Sequence, residues 1–489
     1  MSRYDRRRFL EDSMFAAAAA VGVSNASNLL AAEAKPADVK PVSANDKLNV
    51  AVVGVNGRGG SHIGGYTARK DTPITWIVDA DEAVGMKRID AIAKKQGFAP
   101  KFTKDIRQAL EDKELNLVSI ATPNHWHALG AIWSIQAGKD VYVEKPVSHN
   151  VSEGRRIVEA ARKYNKICQT GTQCRSMVGS QEGIAYVKSG KIGEVKLARG
   201  LCYKSRGSIG PRGEYEIPAS VDYNLWAGPA QMSKLTRKKF HYDWHWQWEC
   251  GNGDLGNQGI HQVDVGRWGL GVDALCNSVM SYGGRVGYVD AGETANTQVA
   301  RFDFGGGKEL IFEVRGLNTK DYRGAKVGNV FHGSQGYVVL TSYDSGAAFD
   351  LEGKKVAEFA GKGEGNQGHF DNFVAAVRAR DHKLLTADIE QGHQSSALCH
   401  LANISLRTGK TMSIADVKGK LAGEAQTETY GRFVQHLEEN QVSPGTEIWC
   451  GETLAFDPTT EKFANNSAAD AMLTREYRAP FTVPAAGQV

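Results

Sequence analysis

Between Leu48 and Gln169 short apolar runs alternate with segments of helical period. Leu48–Val53, Ile74–Val78, Leu117–Ala121, Val141–Val143 and Ile167–Gln169 read as buried strands. Ala83–Gln96 is amphipathic, a helix opens near Gly59, and Ser152–Tyr164 is helical by period, with Ser152 as its cap. Such alternation predicts a parallel sheet with crossover helices. After Thr170 the rhythm changes. A helix at Gln181–Ser189 and a strand at Val195–Leu201 precede a loop rich in Gly, Arg and Pro, Lys204–Ala219. An aromatic segment, Phe240–Trp248, leads to a helix at His261–Trp268. Strand-like runs then dominate (Gln298–Phe304, Glu309–Val314, Gly336–Leu340), followed by helices at Gly368–Arg380 and Gln391–Arg407. No internal repeat is visible.

The first strand runs into Gly54-Val55-Asn56-Gly57-Arg58-Gly59. Glycines between an apolar strand and a helix start let a backbone approach a pyrophosphate, and the helix N-terminus favours the anion. This turn departs from G-x-G-x-x-G in carrying Asn56 at the second glycine's place. Asn tolerates left-handed backbone, and Gly57 keeps the approach open. Asp79 ends the second strand, within reach of a ribose, where a carboxylate binds both hydroxyls and repels a 2′-phosphate. Helix capping is its alternative role. Arg88 lies too far along the helix to be set against it. NAD is therefore expected over NADP.

Glu144-Lys145-Pro146 closes the run Asp140–Val143. A lysine just past a strand's carboxyl end faces the nicotinamide, where it can take a hydroxyl proton and stabilise the oxyanion. The proline fixes its backbone, in trans or cis. A strand followed by a turn is the plain alternative.

Ala121-Thr122-Pro123-Asn124-His125-Trp126-His127, with Ala137-Gly138-Lys139-Asp140-Val141-Tyr142-Val143-Glu144-Lys145-Pro146, resembles the glucose-fructose oxidoreductase / inositol dehydrogenase / MocA (Gfo/Idh/MocA) family. The likeness runs from about Lys47 to Arg407 and is looser in the second half. It implies a Rossmann domain, then an α/β domain with a large open, mainly antiparallel sheet, NAD or NADP, and sugar or cyclitol substrates. It sets Pro123 and Asn124 against the cofactor, with His125 or His127 lining the pocket or packing at the helix start; Thr122 and Glu144, at the same strand ends, are also expected to bind the cofactor. The expected divisions are a leader (1–34), a linker (35–46), the nucleotide domain (47–170), the substrate domain (171–410) and a C-terminal extension (411–489).

Asn257, His261 and Asp264 share one face of a helix. The family's substrate motif is an acid four residues before a histidine. His261 matches, but Asn257 holds the acid's place and cannot take a proton; Asp254 is the substitute source of charge. Lys145 and His261 are thus the expected catalytic pair. Trp244 and Trp246 are expected to stack on a sugar while Asp254 and Asn257 bind its hydroxyls. Sheet packing competes with that role for the tryptophans. His241, His245, Asp243 and Glu249 lack zincin order, and strand-like alternation would split them between faces, so no metal is expected.

Arg6-Arg7-Arg8, the alanine-rich Met14–Val23 and Ala32-Glu33-Ala34 read as a twin-arginine export signal, giving an extracytoplasmic protein with no membrane span after cleavage. A folded-protein export route suits a tightly bound, recycled cofactor. The net charge of +4 and the lack of basic-aromatic runs argue against nucleic acid. Seven scattered cysteines contain no C-x-x-C pair and leave at least one thiol unpaired. Self-association through the open sheet is expected. Three functions fit: a sugar oxidoreductase recycling its cofactor, a glycosidase that oxidises its substrate transiently, and a silent sugar-binding protein.

Overall fold

The computed structural model describes residues 46–489; the leader signal and most of the linker lie outside them. Six parallel strands form the first sheet: β1 (Asn49–Val53), β2 (Ile74–Val78), β3 (Lys101–Thr103), β4 (Leu115–Ile120), β5 (Asp140–Val143) and β6 (Cys168–Thr170), in the order β3-β2-β1-β4-β5-β6. This is the doubly wound dinucleotide order. Alternation along β1 sends Val50 and Val52 to a layer with Ile63, Tyr66 and Ile92, and Ala51 and Val53 to a layer with Leu129, Ile132 and Ile157. β3 and the short helix Ile106–Leu110 carry too little periodic signal to be read from sequence. The helix Val151–Lys163 is capped by Asn150, whose side chain accepts from Glu153 N, not by Ser152, which is already helical.

The second sheet has twelve strands: β7 (Val195–Tyr203), β8 (Ser278–Gly284), β9 (Thr297–Asp303), β10 (Glu309–Arg315), β11 (Val327–Gly333), β12 (Tyr337–Leu340), β13 (Ser345–Phe349), β14 (Lys355–Ala360), β15 (Lys410–Ser413), β16 (Glu447–Cys450), β17 (Leu454–Asp457) and β18 (Lys462–Phe463). Apart from a parallel β7–β10 pair, its neighbours are antiparallel. The helix Ile260–Leu270 packs on β7 and β11, and the helix Ile389–Thr408 on β8. The helix Asn366–Ala379 returns to the first sheet, where Phe370 stacks on Tyr142.

Residues beyond Thr411 pack on the body. β15, β16 and β17 extend the second sheet, and the helix Glu424–Glu439 lays Tyr430, Phe433 and Leu437 over Met280, Tyr282, Val299 and Ile311. Arg432 and Glu313 close an ion pair beneath it. The face expected to be open for self-association is thus covered over these strands. All seven cysteines are free and buried. No helix among the described residues is long and apolar enough to cross a membrane.

Candidate active site

A cavity of about 360 Å³ lies at the carboxyl ends of β1, β2, β4 and β5 and reaches the helix that carries His261. The glycine turn forms its floor. Gly54 has φ +77°, and a Cβ there would meet the Ala121–Thr122 backbone at 2.7 Å, so only glycine fits. Gly59 presses on the Gly54 carbonyl and serves close packing; it does not line the cavity. Gly57 faces open space, with no atom within 4 Å of where its Cβ would stand. Asp79 receives Val55 N at 2.8 Å and Asp81 N at 3.0 Å, so it shapes the turn as well as facing the cavity. Arg88 is nearer than its sequence distance implies. One face of its helix lies over the turn, and its guanidinium donates to the Val55 and Asn56 carbonyls at 2.8 and 2.5 Å.

Glu144 is buried. It accepts from Arg58 at 2.7 Å and bonds His62 at 3.1 Å, whose other nitrogen meets Ser119 at 2.8 Å. Though burial opposes ionisation, the neighbouring Arg58 holds the carboxyl well below its usual range. His62 escaped the sequence reading because it lies one turn past the glycines and reaches Glu144 only in the fold. Lys145 precedes Pro146 across a cis peptide bond. Its Nζ donates to the main-chain carbonyl of Asn257 at 2.5 Å. Burial lowers its pKa, with Glu144 pulling the other way.

Residues 255–259 form a π-turn ahead of the helix Ile260–Leu270. The wider turn takes Asn257 out of the i, i+4, i+7 register expected with His261 and Asp264, which themselves stay i, i+3 on the regular helix. Asn257 and His261 line the cavity. Asp264 instead faces Arg175, in a fully buried ion pair at 2.8 Å. Asp254 is not a free substitute acid either: Arg206 clamps both its oxygens at 2.8 Å, while Asn257 Nδ2 approaches at 3.4 Å. It lies outside the cavity lining. His261 is buried, its Nδ1 has no partner, and desolvation beside Lys145 holds it neutral.

The aromatic segment is not strand-like. Residues 243–246 form a 3-10 turn, whose three-residue period parts Trp244 from Trp246. Trp244 lines the cavity and stacks on His245 at 3.6 Å, whereas Trp246 is buried under Arg206 and does not reach it. Tyr242 opens this turn at φ +66°, a strained backbone for a tyrosine beside a site. His241 lines the cavity and bonds Asp81 at 2.8 Å.

Segment 220–245 crosses the cleft. Glu82 N donates to Ser220 O at 3.1 Å, Asp222 N to Ala80 O at 2.9 Å, and Trp126 Nε1 to Leu225 O at 2.9 Å. His125 meets Trp226 O at 2.9 Å, and His127 bonds the Pro146 and Thr122 carbonyls at 2.5 and 2.8 Å. Thr122, Pro123, Asn124 and His127 line the cavity; His125 does not. Gln173, Gln258 and Tyr343 also line it, and no local motif marks them. Tyr343 OH accepts from Gln258 at 2.6 Å, and its ring lies 4.9 Å from His261.

The unpartnered polar groups fit a dinucleotide. Arg58 Nη2, Thr122 Oγ1 and Gln173 Oε1 are buried without partners, and Gly57 leaves room for a close approach.

Residues 48–172 match the model of an oxidoreductase family with an NAD-binding Rossmann fold, and residues 211–435 match the same family's C-terminal α/β domain. The chain belongs to the Gfo/Idh/MocA family. A levoglucosan dehydrogenase from Pseudarthrobacter phenanthrenivorans is 26% identical over 238 residues, 48% of this chain and 54% of that protein. A glycosyl hydrolase family 109 protein from Shewanella baltica is 30% identical over 182 residues, 34% of this chain and 39% of its own length. The chain thus spans about half, or less, of these curated relatives. Among solved structures, the WlbA dehydrogenase from Bordetella pertussis, in complex with NADH and UDP-GlcNAcA, superposes with TM-score 0.55 at 20% identity, over 74% of this chain and 97% of that one. A levoglucosan dehydrogenase with NADH and levoglucosan gives 0.56 at 19%, over 73% and 97%. These Gfo/Idh/MocA likenesses support the fold.

Proposed function

We propose that this protein is an exported NAD-dependent oxidoreductase acting on a sugar or sugar-like alcohol, with its nucleotide retained and recycled. The observation that carries this reading is the half-buried Lys145 amino group in one cavity with the glycine turn and a His261 whose Nδ1 has no partner. Bound nicotinamide would supply the hydride acceptor. Lys145, with its pKa lowered, takes the hydroxyl proton and stabilises the developing oxyanion. His261 extends the proton path, while the Asn257 and Gln258 amides and Tyr343 offer hydroxyl contacts. The turn around Gly57, with Arg58, holds the pyrophosphate, and Asp79 holds the ribose in preference to a 2′-phosphate. Segment 220–245, latched by His241 to Asp81, supports retention. The leader's arginines, alanine-rich stretch and Ala32-Glu33-Ala34 support twin-arginine export.

The test is to denature the purified protein, identify the released nucleotide and its redox state, and screen sugars for a change in bound-NADH absorbance. Release of no nucleotide, together with no sugar-dependent signal, would refute the reading. A second reading is a glycosidase that oxidises and re-reduces the sugar around an elimination. The similarity to glycosyl hydrolase family 109 proteins favours it, and cleavage of an aryl glycoside without added NAD would establish it.

A further inference from the structure

A second cavity of about 290 Å³ lies between segment 248–252, the end of the helix Ile389–Thr408 and the chain at 471–476. It shares a wall with the first cavity through Asn252, whose Oδ1 accepts from Asn124 Nδ2 at 2.9 Å. None of the proposed chemistry uses it.

Its lining is polar and under-bonded. His400 is 3% exposed, yet its nitrogens have only long contacts, 3.3 Å to Ser148 Oγ and 3.5 Å to Asn252 Nδ2. Burial pushes its pKa down to about 3, so it is neutral. His149 is neutral for the same reason. Arg475 can only donate, so its 3.3 Å contact with His149 Nδ1 puts the imidazole proton on Nε2, which is buried without a partner. Trp248 forms an aromatic wall with the Arg407 guanidinium 4.7 Å from its ring centre. Buried polar groups of this kind are ordinarily bonded, so a site lined by them calls for a ligand rich in hydroxyls or for water.

Charge decides between a neutral ligand and an anion. Arg475 is closed by Glu249, both through its carboxylate and through its carbonyl at 2.9 Å. Arg407 and Glu476 both line the cavity, and Glu293, outside the lining, also opposes the Arg407 charge. The two arginines and two glutamates cancel, which leaves no field to select an oxyanion. The volume sits at the small end of ligand pockets, which begin near ~300 Å³, and suits one ring. Aromatic wall, amides, imidazoles and balanced charges are the chemistry that recognises a polyhydroxylated ring.

We propose that this cavity is a second saccharide site, holding one monosaccharide unit against Trp248. The inference rests on groups that the first cavity does not contain, so it stands whether or not that cavity turns over a sugar.

Calorimetry and saturation-transfer NMR on the full folded protein would test it, with D-glucose, D-galactose, N-acetyl-D-galactosamine and myo-inositol as probes and acetate and inorganic phosphate as anion controls. At least one sugar should show a binding event that Trp248→Ala weakens tenfold or more, with nucleotide content unchanged. Thr474→Trp, which fills the mouth without removing the wall, should do the same and guards against a folding defect in the first variant. Sugar binding unaltered in both folded variants, no sugar binding at all, or Trp248-dependent binding of the anions alone would each overturn the proposal. Sugar binding that depends on Trp248 in a protein with no turnover would count against the oxidoreductase reading and leave this one intact.

Discussion

Lys145 Nζ is held 2.5 Å from the main-chain carbonyl of Asn257, not from its side chain. The π-turn at residues 255–259 shifts this carbonyl out of the regular helical ladder and makes it available. A backbone acceptor orients the lysine whatever side chain stands at 257, which leaves the Asn257 amide for a hydroxyl.

Lys145→Ala should lower hydride transfer at least ~100-fold, the range of a positioned acid/base group, with nucleotide content unchanged. Near-normal turnover in a single-turnover absorbance assay would remove Lys145 from the chemistry. Alcohol oxidation should also rise with pH through an apparent pKa below 10.5, because burial favours the neutral amine that accepts the proton. Glu144 raises the lysine's pKa, so Glu144→Gln should move that limb to lower pH.

Asp79→Ala should raise the Kd for NAD about tenfold and narrow the preference over NADP, leaving the chemical step unchanged. The carboxylate also bonds Val55 N, so part of the loss comes from a looser turn. Native protein that releases NADP on denaturation would reverse the assignment.

For Asn257→Asp, turnover should fall several-fold. The new carboxylate would face Asp254, whose Oδ1 now meets the Asn257 amide at 3.4 Å, and Arg206 already saturates Asp254. A several-fold gain in alcohol oxidation would mean that the position is a lost acid, not a rebuilt contact.

Removing the latch with His241→Ala should speed nucleotide loss about tenfold, read as the fraction of nucleotide remaining after gel filtration. Unchanged retention would show that the other contacts of segment 220–245 suffice.

Glu461 bonds His393 at 2.9 Å and Arg155 at 2.7 Å, tying the end of the chain to two helices. These partners outweigh the cost of burial and depress its pKa to about 2. The carboxylate's contribution is therefore full above its unfolded value near 4.5 and is lost as pH falls toward about 2. Glu461→Gln should cost ~1–3 kcal/mol near neutrality, and its Tm deficit should shrink across that acidic window. A deficit independent of pH would place the effect in packing instead.

The parallel sheet, the glycine turn and the strand-end positions of Asp79 and Lys145 beside the cavity were legible because each depends on local order: an apolar run, a turn demanding positive φ, a residue at a strand's end. The cavity's other wall was not. The π-turn that takes Asn257 out of regular register with His261, the 3-10 turn that sends Trp246 away from Trp244, and Arg88 folding back on Val55 all depend on which surfaces meet after the sheets have formed. Tyr343, Gln173 and the His62–Glu144 contact join residues far apart in the chain, and no spacing rule encodes such a meeting. Sequence determined the nucleotide-binding frame, because hydrogen bonding within strand and turn needs only near neighbours. Tertiary packing alone decided which side chains share the cavity and which buried charges are cancelled, because desolvation and ion pairing depend on distance in space.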